Sequence, residues 1–171
     1  EDAVRAFKIA SRGCERHRCG TDKIWRHHYH VAYGPQLAPY LGRLNVSVLE
    51  IGVQDGLSLG LWQRLFPHHG RIAAIGYGKG KAVAKRATPG DFKSHPSNGS
   101  SSLFTMYTGD QGDAAFLRQV DADLNGHKFD VIIDDGSHVP WHQLFTLAAI
   151  FGRWLADGGI YIIGARRPHA P

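Results

Sequence analysis

The stretch SVLEIGVQDGLS, residues 47–58, decides the fold of this chain. Its first half is dense in Val, Leu and Ile, which is typical of a strand buried on both faces. Gly52 and Gly56 then allow a sharp turn, and the residues that follow have helical spacing. A buried strand that turns through glycines into a helix predicts the first unit of a parallel α/β sheet.

Four further stretches have strand character, at residues 71–75, 103–107, 128–134 and 159–163. Segments with helical spacing lie between strands, at residues 57–66, 113–124 and 140–155. Strands that alternate with helices predict right-handed crossovers, with helices on both faces of the sheet. The sequence therefore predicts a doubly wound parallel sheet that binds its ligand at the carboxyl ends of the strands.

The pattern divides the chain into an N-terminal segment and an α/β domain. Residues 1–45 predict an N-terminal helical cap segment, and residues 46–171 predict the α/β domain. Within the cap segment we expect one or two helices over residues 22–44, broken at Gly34-Pro35. In the α/β domain the last helix is expected to end at Leu155 and to be closed by a turn at Asp157-Gly158-Gly159, ahead of the fifth strand.

Composition is typical of one globular domain. The chain has 171 residues, of which 43% are apolar, so it can bury a core without a disulfide framework. Cys14 and Cys19 are expected to be free thiols, with a disulfide or a metal site as alternatives. No apolar run reaches the roughly 20 residues of a membrane helix, which favours a soluble, intracellular protein. The net charge of +5 comes from basic clusters without interleaved aromatic residues, so a nucleic-acid partner is not expected.

The spacing of the two glycines limits what the first turn can hold. Gly52 and Gly56 follow G-x-x-x-G, not the G-x-G-x-x-G that brings a dinucleotide pyrophosphate onto a helix, which argues against NAD and FAD. Free amides at the start of the next helix favour an anionic group such as a carboxylate. S-adenosylmethionine has an amino-acid end, a nucleoside and no phosphate, so it suits this loop. The alternative is that the glycines serve only the geometry of the turn.

A second group of polar residues follows the fourth predicted strand. Asp134 and Asp135 end this strand, and His138 follows after a Gly-Ser turn. A carboxylate and an imidazole on one short loop can supply a metal ligand and a general base for a hydroxyl. The alternative is that the aspartates cap the helix that begins near Pro140 and that His138 is a surface residue.

These two groups belong to a longer series of motifs in a fixed order. The others include Gly20-Thr21-Asp22-Lys23, His27-His28-Tyr29, Gly109-Asp110-Gln111, His142-Gln143 and Gly158-Gly159. Over residues 20–163 the series resembles the class I O-methyltransferases that modify sugars of macrolide antibiotics. The resemblance implies a Rossmann-like methyltransferase fold, S-adenosylmethionine as cofactor, and a hydroxyl of a small molecule or sugar as acceptor.

The resemblance also implies roles for individual residues. The cofactor is expected to lie against Gly52, Gln54, Gly56, Ser58, Asp110, Gln111 and Asp134. Asp135 is expected to bind Mg²⁺, and His138 to act as the general base.

The sequence departs from the family's pattern at the expected ribose-binding and metal-binding positions. Gly76 stands where an acid that binds the ribose is expected. After the fifth strand, Gly164 and Ala165 replace acids of the metal site, and Arg166 and Arg167 add positive charge, so we expect a degraded magnesium site. The chain also stops before the two strands that usually complete this fold.

The sequence thus predicts an S-adenosylmethionine-dependent O-methyltransferase-like protein. The alternative is a catalytically inactive subunit of the same fold, with protein partners in a larger assembly. Gly76, Gly164 and the two absent strands favour that alternative. The intact glycine loop and the run from Asp134 to His138 oppose it.

Overall fold

A parallel sheet organises the part of the chain that the structure describes. The structure is a computed structural model, and it describes residues 2–10, 29–53, 57–77 and 104–164. The strands within these ranges are β1 (Val48–Ile51), β2 (Ile72–Gly76), β3 (Phe104–Thr108), β4 (Phe129–Asp134) and β5 (Leu155–Ile163). They lie in the order β3-β2-β1-β4-β5, and every pair is parallel. The chain therefore reverses its direction of winding between β1 and β4, which is where such sheets bind ligands.

Helices cover both faces of the sheet. They are α1 (Asp2–Ala10), α2 (Tyr29–Leu37), α3 (Leu57–Leu65), α4 (Ala114–Leu124) and α5 (Pro140–Trp154), and a 3-10 turn at Ala38–Tyr40 follows α2. Because side chains alternate across a strand, Val48 of β1 packs into a core with α1, α2 and α3, and Leu49 packs into a core with α4 and α5. The predicted doubly wound sheet is confirmed. No helix in the described ranges is long and apolar enough to cross a membrane.

The N-terminal helices differ from the sequence prediction. α2 runs through Gly34-Pro35, where a break is predicted, and ends at Leu37. A Cβ at Gly34 would lie 3.1 Å from Cα of Val4, so close packing against α1 keeps this backbone helical. The predicted helical cap segment covers residues 1–45, but no helix is placed at α1, whose Phe7 is fully buried and packs edge-on against Trp62. The spacing of Val4 and Phe7 is the sequence signal for this helix.

The predicted end of the last helix at residue 155 agrees with the structure to within one residue, but the turn expected at Asp157-Gly158-Gly159 is wrong. α5 ends at Trp154, and β5 begins directly at Leu155. The glycines lie instead in an irregular part of β5, between its two sections paired with β4. Gly158 has a φ of +73°, a left-handed conformation that a bulge in a strand often requires.

Candidate functional site

The candidate site lies at the carboxyl edge of the sheet, where three neighbouring strands end. Backbone hydrogen bonds extend the sheet past these ends, from Gly52 N to Ile75 O (2.9 Å), from Asp135 N to Ile51 O (2.8 Å) and from Gly164 N to Asp134 O (2.7 Å). The segments that follow β1, β4 and β5 are therefore held side by side. The glycine turn and the acidic loop, recognised as separate motifs in the sequence, meet here.

Gly52 brings two backbones into direct contact. Its φ is +96°, a conformation that L side chains rarely adopt. A Cβ at this position would also overlap the backbone carbonyl of Asp135. The residue is thus required both for the turn after β1 and for the approach of the loop after β4.

Ser58 is buried against β1 rather than exposed to a ligand. Its hydroxyl donates to Oε2 of Glu50 at 2.6 Å, and the indole N–H of Trp62 donates to the same oxygen at 2.8 Å. Glu50 is fully buried in β1, so these bonds fix the first turns of α3 against the strand. Sequence reasoning assigned no role to Glu50, although a charged residue inside an apolar strand is a recognisable signal.

Asp134 points into the protein. Its carboxylate is fully buried and accepts hydrogen bonds from Gln111 Nε2, the backbone N–H of Gly136 and the Tyr161 hydroxyl, each at 3.2 Å. Burial raises the pKa of Asp134, and these hydrogen bonds partly oppose the increase. Burial and the neighbouring Asp134 carboxylate also raise the pKa of Tyr161.

Gln111 reaches from the loop after β3 into the loop after β4. Besides Asp134, its Nε2 donates to Oγ1 of Thr146 at 3.1 Å, and its Oε1 accepts from the backbone N–H of Ser137 at 2.9 Å. The carboxylate of the preceding residue, Asp110, accepts a hydrogen bond from the backbone N–H of Gly112, with 2.8 Å between Oδ1 and N. The Gly-Asp-Gln motif is therefore joined to the acidic loop through one amide group.

Asp135 and His138 face each other at the open side of the loop. Nε2 of His138 lies 3.8 Å from Oδ1 of Asp135, and its Nδ1 lies 3.4 Å from the carbonyl oxygen of Gly164. His138 has a φ of +55°, which is uncommon for a residue with a side chain and often occurs at functional sites. The two predicted catalytic residues are thus close enough to act together.

Tyr29 adds a contact that sequence reasoning missed. Its hydroxyl donates to Oδ1 of Asp135 at 3.0 Å, across a separation of 106 residues. Its ring stacks on that of Tyr33, with centroids 4.6 Å apart. Helix α2 therefore contributes directly to the site, and the only sequence signal was that Tyr29 belongs to one of the quoted motifs.

The alternative role of the aspartates as helix caps is wrong. The N-cap residue of α5 is Val139, which makes no side-chain capping bond, and Pro140 fills the first position of the helix. Pro at this position lacks the N–H that a cap would satisfy. The Asp134 carboxylate instead bonds to groups in the core, and that of Asp135 to Tyr29.

The residues that the structure describes fit a magnesium ion poorly. They contain no group of three His, Cys, Asp or Glu side chains that could hold a metal. A Cβ at Gly164 would overlap Oδ1 of Asp135, so β5 ends beside this carboxylate but supplies no acid to it. Mg²⁺ prefers an octahedral shell of oxygen atoms, and Asp135 is the one open carboxylate among the described residues of this loop.

Some predicted residues and motifs lie outside the described residues. They are Gln54 and Gly56 of the glycine loop, Cys14, Cys19, residues 20–28, and Ala165, Arg166 and Arg167 after β5. Gly76, at the expected ribose-binding position, is the last residue of β2, and its carbonyl accepts a hydrogen bond from the N–H of Gly109 at 2.9 Å.

Comparison with known proteins identifies relatives of the chain and its fold. No protein-family profile matches the chain. It is 33% identical over 153 residues to 8-demethyl-8-alpha-L-rhamnosyl tetracenomycin-C 2'-O-methyltransferase of Streptomyces olivaceus. This match covers 85% of this chain and 35% of that protein. It is 34% identical over 125 residues to L-olivosyl-oleandolide 3-O-methyltransferase of Streptomyces antibioticus, covering 69% of this chain and 27% of that protein.

Its sequence homologues are sugar O-methyltransferases. Among solved structures, the chain resembles the MycE methyltransferase of the mycinamycin biosynthetic pathway, solved in complex with Mg and SAH. The TM-score is 0.58 at 27% identity, and the match covers 92% of this chain and 34% of that one. The fold is thus the Rossmann-like methyltransferase fold, and the chain spans about a third of the length of the relatives it matches. None of these relatives favours the alternative of an inactive subunit.

Proposed function

We propose that this chain is the cofactor-binding part of an S-adenosylmethionine-dependent O-methyltransferase that acts on a hydroxyl of a sugar or another small molecule. The observation that carries the proposal is the contact between Gly52 and the loop of Asp135 and His138. This contact supports the proposal because an imidazole and a carboxylate then stand beside a turn that suits the amino-acid end of the cofactor.

The predicted cofactor residues would serve the proposed site in two ways. From the sequence pattern, the amino-acid end would lie against Gly52, Gln54 and Gly56. The nucleoside would lie near Asp110, after β3. The side chains of Ser58, Gln111 and Asp134 are buried, so we assign them to the wall behind the cofactor.

The chemistry that S-adenosylmethionine supplies is a methyl group on a sulfonium ion. We assign His138 the removal of the proton from the acceptor hydroxyl. Its Nδ1, near the Gly164 carbonyl, suits the tautomer that leaves Nε2 able to accept this proton. The carboxylate of Asp135, 3.8 Å from Nε2, stabilises the imidazolium that forms. When bound, S-adenosylmethionine would supply its methyl group to the acceptor oxygen as the carbon–sulfur bond breaks, which would leave S-adenosylhomocysteine as the second product. No step passes through Mg²⁺, because the described donors fit it poorly.

Titration with S-adenosylhomocysteine tests cofactor binding. A ligand at 100 times its dissociation constant stabilises the native state by about 2.7 kcal/mol, so thermal unfolding should move to higher temperature. No shift at about millimolar ligand, about a thousandfold above a micromolar Kd, would contradict the proposed site.

Methyl transfer tests the reaction. Radiolabelled S-adenosylmethionine is incubated with 8-demethyl-8-α-L-rhamnosyl tetracenomycin C, the compound in a relative's name, and with simple α-L-rhamnosides. His138→Ala should lower turnover about 10²- to 10⁴-fold and leave binding of S-adenosylhomocysteine unchanged. Equal turnover in the variant would remove His138 from the reaction.

A further inference from the structure

The amide of Gln111 is enclosed by the loop that carries His138. The side chain is 6% exposed, and its hydrogen bonds reach the end of β4, the loop and helix α5. A Cβ at Gly136 would overlap Oε1 of Gln111. The loop is thus built around this amide, with a glycine at the point of closest approach.

We propose that Gln111 is a positioning residue that holds the loop of Asp135 and His138 in the conformation used for methyl transfer. The inference rests on the proposed function and deepens it. Gln111 would act through the loop and not by touching the acceptor.

The backbone conformation of His138 explains why such a residue is needed. A residue with a side chain at a φ of +55° persists only where its surroundings hold it. The residue just before it, Ser137, donates its N–H to Oε1 of Gln111 at 2.9 Å. This bond fixes the Gly136–Ser137 peptide, one residue before the strained backbone of His138, and so restricts the direction of the imidazole.

The orientation of the amide follows from the chemistry of its partners. An ionised carboxylate only accepts and a backbone N–H only donates, so Nε2 faces Asp134 and Oε1 faces Ser137. A direct hydrogen bond from the Gln111 amide to a cofactor would require one of these buried bonds to break.

Because Gln111 donates to Asp134 through a single side-chain contact, the donor and the acceptor can be exchanged between positions 111 and 134. Gln111→Glu keeps the shape of the side chain but sets two carboxylates against each other. Asp134→Asn alone keeps an amide oxygen that can accept from Gln111 Nε2, but it removes the charge that strengthens this bond. In the double variant the new amide at position 134 can donate to the new carboxylate at position 111 and still accept from the N–H of Gly136. The double variant therefore restores the bond with donor and acceptor exchanged.

Four variants of the full chain test the inference: Gln111→Glu, Asp134→Asn, their combination, and the control Gln119→Glu on the exposed side of α4. Each is measured for turnover, for Kd of S-adenosylhomocysteine by calorimetry, and for the imidazole resonances of His138 by NMR, assigned with His138→Ala. Gln111→Glu should lower kcat about 10- to 100-fold, the effect of losing a hydrogen bond to a charged group. It should shift the His138 resonances and change Kd by less than about twofold. The double variant should recover kcat and the resonances, and the control should change nothing.

Two results would overturn the inference. One is unchanged kcat and unchanged His138 resonances in Gln111→Glu. The other is a loss of cofactor affinity with unchanged His138 resonances, which would make Gln111 a direct cofactor ligand. If the wild-type chain shows no transfer to any acceptor, the proposed function fails. The His138 resonances and their recovery in the double variant then still decide whether Gln111 positions the loop.

Discussion

The hydroxyl of Tyr29 donates a hydrogen bond to Oδ1 of Asp135, the carboxylate oxygen nearest to His138. The bond links helix α2 to the loop after β4. Because the Tyr29 ring is stacked on Tyr33, the hydroxyl is held at a fixed position. An aromatic pair outside the sheet therefore orients the carboxylate that faces the proposed base.

Tyr29→Phe should impair turnover without weakening cofactor binding. The variant keeps the stacked ring and removes one hydrogen bond to a charged group, which corresponds to a loss in kcat of about 10-fold. Turnover and calorimetric titration with S-adenosylhomocysteine measure the two effects separately. Tyr77→Phe, at an exposed residue, is the control. A loss of cofactor affinity equal to the loss of turnover would argue against an orienting role.

Gly52→Ala should be strongly destabilising. The variant must either leave a φ of +96° or push the Asp135 backbone away, and we expect a loss of about 3 kcal/mol or more in the free energy of unfolding. Urea denaturation measures this loss. Gly60→Ala is the matched control, because the position is helical and has open space for a Cβ, so it should stabilise by up to about 1 kcal/mol. Similar effects of the two substitutions would refute the close backbone contact.

Ser58→Ala should cost about 1.5–3 kcal/mol, since it removes a hydrogen bond to the buried Glu50 carboxylate. The loss should be much smaller in a Glu50→Gln background, where the partner is neutral. A double-mutant cycle from chemical denaturation gives the coupling between the two residues. Additive effects would mean that the short Ser58–Glu50 bond contributes nothing to stability.

Asp134→Asn should change how stability depends on pH. Burial raises the pKa of Asp134 above its ordinary value of 3.8, so the unfolded chain releases this proton at a lower pH than the native state does. The stabilising contribution is complete below about pH 3.8 and is lost as the pH rises through the raised pKa. The free energy of unfolding of the variant should therefore gain on that of the wild type as the pH rises above about 4.

Urea denaturation at several pH values checks this prediction. Asp157→Asn, at an exposed residue, controls for the loss of one carboxylate. Parallel pH curves for wild type and Asp134→Asn would show that Asp134 keeps an ordinary pKa.

The sheet and the site residues at the ends of β1 and β4 could be predicted because both depend on local sequence pattern. Gly52, Asp134 and Asp135 each stand directly at or after a buried apolar strand, and the carboxyl ends of parallel strands meet at one edge. The bond from Tyr29 could not be predicted, because a side-chain contact across 106 residues leaves no periodicity in the sequence. Alternation along a strand predicts that Asp134 and Asp135 point to opposite faces of the sheet. It does not predict that Gln111 and Tyr161 enclose Asp134, because those contacts come from distant parts of the chain.

The placement of β1 at the centre of the sheet has a consequence for biosynthesis. β1 pairs with β2 on one side and with β4 on the other, and β4 comes much later in the chain. At the usual rate of about 5–20 residues per second, a nascent chain carries β1 with one open, apolar edge for several seconds. Such an edge is a template for pairing with other chains. Expression at low temperature or with chaperones that shield unpaired strands should therefore raise the yield of native protein more than changes to its surface would.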